Sequence, residues 1–470
     1  MNEITEKPKS EAESLDGKAF YRAVWRWHFY AGLFAIPFMV MLSITGIIYL
    51  FKLQLDAVMY RDLIFVGAKT EKASANDQLK SVKSAYPDAV VKAYSPSSAP
   101  DRSSKFDVST TDKRNLFVFV DPYDSKVIGS YDADNNLQNY AVLVHGELLI
   151  GRVGDTLIEL AACWALVLML TGLYMWFPRN GSGLRGTLLP RLFAKSKRIF
   201  WRDIHATTGF YGSLIVIFMI FTGLFWTGFW GETFANVWST FPPSKNPASV
   251  ASVPTGSLNT TADKKVAWAV EQMPMPESDL HARHSKDDGT APTMTDGINL
   301  DAIDKIARDQ NVMSGYSIVF PRNETGVFTI TAPLGDPYRQ QTIHVDQYSG
   351  NILANVGWQD YGTVPKAVTA GIALHEGLAF GPLNQLLMLF AALAVLVLSI
   401  SGTVMWWRRR PSGTLGAPPM PENVGLWKSA VAIIVAMGVI FPFIGISLIV
   451  CLLFDYFLIQ KIPALKQAIG

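Results

Sequence analysis

Five apolar stretches constrain this chain more than anything else in it: residues 29–51, 160–178, 204–231, 377–407 and 429–454, none of which contains Lys, Arg, Asp or Glu. A helix needs about 20 consecutive apolar residues to cross the hydrocarbon core of a bilayer, so each stretch is predicted to span it. The composition agrees, because 49% hydrophobic against 17% charged is too apolar for an ordinary soluble domain. A net charge of +2 excludes a broad nucleic-acid-binding face. Cys163 and Cys451 both lie inside apolar runs. That excludes a disulfide framework and the clustered thiolates of a zinc or iron–sulfur site.

The short connections set the orientation. Arg179, Arg185, Arg191, Lys195, Lys197, Arg198 and Arg202 lie between the second and third stretches against one acid, Asp203. Arg408, Arg409, Arg410 and Lys428 lie between the fourth and fifth against Glu422, and Lys18, Arg22 and Arg26 precede the first. Basic short loops mark the cytoplasmic side, which places the N-terminus inside and the two long loops outside. The first stretch follows a charged tail and shows no small-residue cleavage site, so it reads as a retained anchor. Phe441-Pro442-Phe443 interrupts the last stretch, which is either one long bent helix or a re-entrant hairpin; the basic tail (Lys461, Lys466) suits the hairpin.

The chain also repeats. Each long loop is predicted to hold a short helix (77–85; 300–308) followed by strands (90–94, 106–109 and 116–121; 316–320 and 326–331). Each closes on a strand–turn–strand: Val120-Asp121-Pro122-Tyr123-Asp124-Ser125-Lys126-Val127 in one, Val345-Asp346-Gln347-Tyr348-Ser349-Gly350-Asn351-Ile352 in the other. Between the two modules, residues 241–297 are rich in Pro, Ser, Thr and Asn and read as mostly irregular. In the spans, His28 precedes Thr45-Gly46 and His205 precedes Thr222-Gly223 at one spacing. His145 precedes Gly151, Thr171-Gly172 and Met175-Trp176, and His375 precedes Gly381, Ser401-Gly402 and Met405-Trp406, again at matched offsets.

The fold class that follows is an α-helical integral membrane bundle of about five spans, internally repeated, with two small external α+β modules. In chain order it reads as a cytoplasmic tail (1–28), a span (29–52), an external module (53–144), and a span with an external histidine segment (145–178). A basic loop (179–203), a span (204–231), and a linker with the second module (232–374) come next. A span with its histidine segment (375–407), a basic loop (408–428) and a last span (429–460) complete it.

His28 and His205 then fall at the cytoplasmic ends of the first and third spans, His145 and His375 at the external ends of the second and fourth. Neutral imidazole is a common axial ligand of haem iron, and polar groups embedded in spans are functional candidates. Two helices that each present one histidine to a shared gap can hold a non-covalent haem b, and there is no CxxCH for covalent attachment. Gly32, Gly209, Gly212, Gly146 and Gly377 would let a flat macrocycle approach the backbone, and Arg26, Arg202 and Arg152 would pair with propionates. The plainer alternative for any single histidine is a polar residue at headgroup level. The Thr/Ser-Gly pairs read as close helix-packing points, and Trp25, Trp27, Trp176, Trp201, Trp406 and Trp407 as interface belts. Glu147 and Glu376, beside the external histidines, read as solvated loop acids rather than haem-tuning groups. His281 and His284 with Met273 and Met275 would make an external metal-capture site; His344 reads as a strand residue.

With the repeats placed, the two Val-Asp-…-Tyr turns resemble the ends of PepSY modules. The stretches Trp-Arg-Trp-His-Phe-Tyr-Ala-Gly (25–32), His-Gly-Glu-Leu-Leu-Ile-Gly (145–151), Asp-Ile-His-Ala-Thr-Thr-Gly (203–209) and His-Glu-Gly-Leu-Ala-Phe-Gly (375–381) resemble PepSY-associated transmembrane-helix proteins. That family includes iron-regulated bacterial inner-membrane proteins and ferrisiderophore reductases. The resemblance implies reduction of Fe(III)–siderophore at the periplasmic face of the inner membrane through one or two haems. His28 with His205 would hold the inner haem and His145 with His375 the outer, with other pairings open. No GxGxxG follows a strand, so the electrons are expected from a quinol or a cytoplasmic reductase. Two rivals stand beside this reading. One is a PepSY-type binding, regulatory or assembly protein without redox activity. The other is a transporter of iron, haem or siderophore, for which spans without charged residues offer little polar path.

Overall fold

The computed structural model describes residues 9–178, 184–238, 253–260, 264–280, 298–418, 428–454, 456–457 and 461–462. In chain order the helices are α1 (Lys9–Leu50), α2 (Lys52–Met59), α3 (Arg61–Ile64), α4 (Ala75–Ala85), α5 (Leu137–Glu147), α6 (Arg152–Trp176) and α7 (Lys197–Gly223). They continue as α8 (Trp230–Trp238), α9 (Leu300–Asp309), α10 (Thr363–His375), α11 (Pro382–Arg409), α12 (Lys428–Ile440) and α13 (Pro442–Phe454). The chain forms two compact units, one of residues 1–47, 144–231 and 387–470, the other of residues 48–143 and 232–386.

Four helical segments, Gly17–Leu50, Arg152–Trp176, Lys197–Trp226 and Pro382–Arg409, are long and apolar enough to cross a membrane. In the first unit their contacts use small residues: Ala31, Ala35, Ala161, Ala165, Ala391 and Ala394 are buried, and a Cβ added to Gly212 would stand 3.3 Å from that of Ala394. Leu33, Ile44, Leu170, Leu214, Leu393 and Ile400 face outward. This is the pattern of helices packed in lipid, where association needs close backbone approach rather than burial of large apolar groups.

The helices reach further than the apolar stretches do. α1 begins at Lys9, since Lys18, Arg22 and Arg26 sit among good helix formers with no Gly or Pro between them. α6 begins at Arg152 and so takes in Asp155 and Glu159, which the charge-free stretch stopped short of. Glu159 is buried, and its carboxylate accepts N–H bonds from Phe229 (3.1 Å) and Trp230 (3.2 Å), while Asp155 accepts one from Gly228 (2.8 Å). Two carboxylates one turn apart thereby satisfy amide groups where the chain breaks after α7, a task water cannot perform inside a bilayer.

The last apolar stretch is two helices of 13 residues each, about 20 Å apiece by helix rise. The chain doubles back at Phe441, and Gly438 and Gly445 meet backbone to backbone. Phe441 and Ile444 at the bend pack against Cys163 and Leu224, and the Trp164 indole donates to Ser447 Oγ at 3.2 Å. Of the two forms left open by the Pro442 interruption, this is the hairpin.

The second unit is built on β1 (Val90–Ser95), β2 (Ser104–Ser109), β3 (Asn115–Val120), β4 (Val127–Asp132), β5 (Ser317–Val319), β6 (Val327–Thr331), β7 (Gln341–Asp346) and β8 (Ile352–Gly357). The strands form one antiparallel sheet of eight in the order β4-β3-β2-β1-β5-β6-β7-β8. The two loop segments are therefore a single sheet, joined where Ala93 pairs Val319 and Tyr94 pairs Ile318. Edge pairing of this kind leaves no local trace in sequence.

One core serves both halves: Val82 of α4 and Leu300, Ile303 and Ala307 of α9 pack with Phe106, Val118, Ile318, Ile330 and Ile343. Each of the larger side chains among them contributes about 1.5–3 kcal/mol of burial. On the other face, Leu258, Val266, Val270 and Met273 pack with Ala93, Val319, Val356 and Tyr361. The described part of the linker is irregular, as its composition suggests, but it is core and not a solvated connector.

Candidate functional site

Each of the four histidines reaches its position by a helix. His28 lies well inside α1 and His205 two turns into α7. His145 sits in the last turn of α5, and His375 is the last residue of α10. These two short helices replace the loop segments expected there. Left-handed turns separate them from α6 and α11, at Leu148, Leu149 and Gly151 in one case and at Gly377 and Gly381 in the other. Gly151 and Gly381 both stand six residues after the histidine. A left-handed conformation accounts for glycine at both.

The structure brings His28 and His205 together. Their ring centroids are 6.3 Å apart and their planes lie at 84°. Metal–imidazole bonds are about 2.0–2.1 Å long. Two of them in line, with roughly 1.1 Å from nitrogen to centroid on each side, give about 6.3 Å between centroids. Two imidazoles at this separation could hold one metal ion between them, and haem iron would be such an ion.

Three of the histidines are held the same way. His28 Nδ1 is 2.9 Å from Thr171 Oγ1, His205 Nδ1 is 2.9 Å from Ser401 Oγ, and His145 Nδ1 is 2.9 Å from Thr45 Oγ1. The glycine after each hydroxyl lies against the edge of the ring. A Cβ at Gly172, Gly402 or Gly46 would stand 3.3–3.4 Å from the Cε1 of His28, His205 or His145. Thr171-Gly172, Ser401-Gly402 and Thr45-Gly46 are therefore histidine seats as well as helix contacts, where the spacing alone read as packing. The signal was present in the matched offsets, but a one-dimensional spacing ties Thr45 to His28, whereas in space Thr45 meets His145 and Thr171 meets His28.

The arginines have other partners. Arg26 donates to the Pro418 carbonyl at 2.6 Å. Arg202 pairs with buried Asp203 (2.8 Å), which also takes a two-pronged bond from Arg191 (2.6 and 3.1 Å). Arg152 is the exposed first residue of α6.

Gly209 and Gly212 face Leu398 and Ala394 and serve helix contact, Gly32 faces Leu168, and Gly146 faces open space. Gly377 is left-handed and packs on Leu50 and Gln385. Glu376 is not a solvated loop acid: burial pushes its carboxyl up to about 7, opposed by the Lys264 charge and the Tyr49 hydroxyl. Trp176, at the end of α6, stacks on Phe210 at 3.8 Å and donates to the Thr187 carbonyl. Met273 belongs to the sheet core, and His281 and His284 lie outside the described residues. His344 is buried in β7 with Nδ1 3.0 Å from Thr329 Oγ1.

An apolar helical unit with facing imidazoles, carried by a chain that also folds an antiparallel sheet, defines an α-helical membrane protein with a separate sheet unit. The profile of the PepSY-associated TM region matches residues 25–409, and the chain belongs to that family. No curated protein matches the sequence.

Proposed function

We propose that the protein is a haem-carrying electron carrier of the bacterial inner membrane that reduces Fe(III)–siderophore on the periplasmic side and releases Fe(II). The observation that carries this reading is the separation and crossing of the His28 and His205 rings, 6.3 Å and 84°. These two residues would hold one haem b. When bound, haem supplies one-electron transfer. The chain's part is to hold unprotonated Nε2 atoms toward the iron, keep water away with apolar helices, and offer Arg26, Arg202 and Arg152 to the propionates. Siderophores bind Fe(III) through hard oxygen donors, and Fe(II) is the softer, more weakly held ion. One electron, drawn from a quinol or a cytoplasmic reductase, therefore loosens the metal and leaves the chelator whole.

The test is the visible spectrum of the detergent-purified protein, oxidised and dithionite-reduced, with a pyridine haemochrome assay. Sharp α and β bands at one or two haems per chain are expected, with His28→Ala and His205→Ala each losing the same haem. Ferric siderophore should then reoxidise the reduced protein. Colourless protein from haem-replete cells would overturn the proposal and leave the eight-stranded sheet, as a binding surface, to explain the function.

A further inference from the structure

Building on the haem reading, we infer that the hydroxyls of Thr171 and Ser401 are positioning residues that fix the proton on Nδ1 of His28 and His205 and so present Nε2 as the metal-binding atom. The direction of the two hydrogen bonds follows from where the hydroxyl protons go. Thr171 Oγ1 donates to the Val167 carbonyl at 2.6 Å, and Ser401 Oγ donates to the Val397 carbonyl at 2.6 Å. With its single proton committed to the helix, each oxygen can only accept from the ring. The bond therefore requires N–H at Nδ1, which leaves the lone pair on Nε2.

The same device recurs at a third site. Thr45 Oγ1 donates to the Met41 carbonyl at 2.9 Å and takes His145 Nδ1 at 2.9 Å. In all three cases the ring edge at Cε1 lies against the following glycine, so the imidazole is slotted as well as bonded. A bond from the distal N–H of an imidazole ligand fixes its tautomer and ring plane and raises its basicity. A more basic ligand favours Fe(III) over Fe(II), so these hydroxyls act on the redox potential of the site and not only on its occupancy.

Thr171→Val keeps the side-chain shape and removes the acceptor, and Thr171→Ser restores it. In the haem-loaded fraction of Thr171→Val the midpoint potential of the haem held by His28 and His205 should rise. A tenfold loss of ferric preference corresponds to about 59 mV. Thr171→Ser should return the potential to the wild-type value, and Ser401→Ala should repeat the rise with Ser401→Thr as its rescue. The low-spin ferric g-values should move with the potential in both loss variants. An unchanged potential and unchanged g-values in haem-loaded Thr171→Val and Ser401→Ala would overturn the inference while leaving the haem reading intact. Should Thr171→Val fail to assemble, Ser401→Ala decides alone. Wild-type protein without haem would instead overturn the reading on which the inference rests.

Discussion

Gly172, Gly402 and Gly46 each follow a hydroxyl that holds a histidine ring, and each has the ring edge where a side chain would begin. Gly172→Ala would press a methyl group on His28 Cε1 at 3.3 Å. Displacing a ligand through its surroundings typically costs 10–100-fold in metal affinity. Haem retention in Gly172→Ala is therefore expected to fall by about tenfold with the helix content unchanged by circular dichroism. Gly146→Ala is the control, since nothing lies within 4 Å of an added Cβ there, and it should retain haem fully. At this scale the sequence singled out four histidines, because four of the seven stand at repeated offsets. It did not expose the seats. Thr171 and His28 are 143 positions apart, and only the helix arrangement makes them neighbours. The fate of Glu376 was hidden for the same reason: Lys264 and Tyr49, which face it, come from distant parts of the chain.

Among the elements, α4 and α9 cap one another. Asn76 Oδ1 accepts the Leu300 N–H at 3.2 Å, and the Asp301 carboxylate accepts the Asn76 backbone N–H at 3.3 Å and its side-chain N–H at 2.5 Å. Asn76→Ala removes a cap from one helix and a partner from the other, and a loss of about 1–2 kcal/mol is expected in urea unfolding of the sheet unit. The turn between β7 and β8 adds a pH dependence. Burial pushes the Asp346 carboxyl upward, but N–H bonds from Ser349, Asp279 and Tyr348 outweigh it and hold the group below its ordinary 3.8. Its contribution is therefore complete above that ordinary value and is lost as pH falls through the lower folded value. Stability of Asp346→Asn should accordingly change less between pH 5 and pH 2 than that of the wild type (about two proton-binding curves' width), as read by tryptophan fluorescence. The strands and the two helices of this unit were legible from alternation and turn residues. α5 and α10 were not, because their apolar residues run on toward the span and hide the left-handed turns between.

For the molecule as a whole, the basic connections supply the test of orientation. With the loops at 179–203 and 408–428 inside and the sheet outside, a cysteine at Asp124 should react with a membrane-impermeant maleimide in intact spheroplasts. A cysteine at Lys195 should react only after lysis. The two positions labelling alike would remove the proposed topology. The four long apolar helices were legible from the charge-free runs of the sequence. That the last apolar stretch is a doubled-back pair needed the meeting of Gly438 and Gly445, which hydropathy does not register.

The single sheet has a consequence for how the protein is made. β1 and β5 are partners although Ala93 and Val319 are more than two hundred residues apart. Ribosomes add about 5–20 residues per second, so β1 waits roughly 10–40 s for its neighbour. During that interval the first four strands present an open edge, and half of a shared core is uncovered. Bare edges of that kind invite pairing with other chains. The newborn first half is thus the stage at which this protein depends most on chaperones, and slowing synthesis between the third and fourth apolar helices should lower its yield more than slowing it anywhere later.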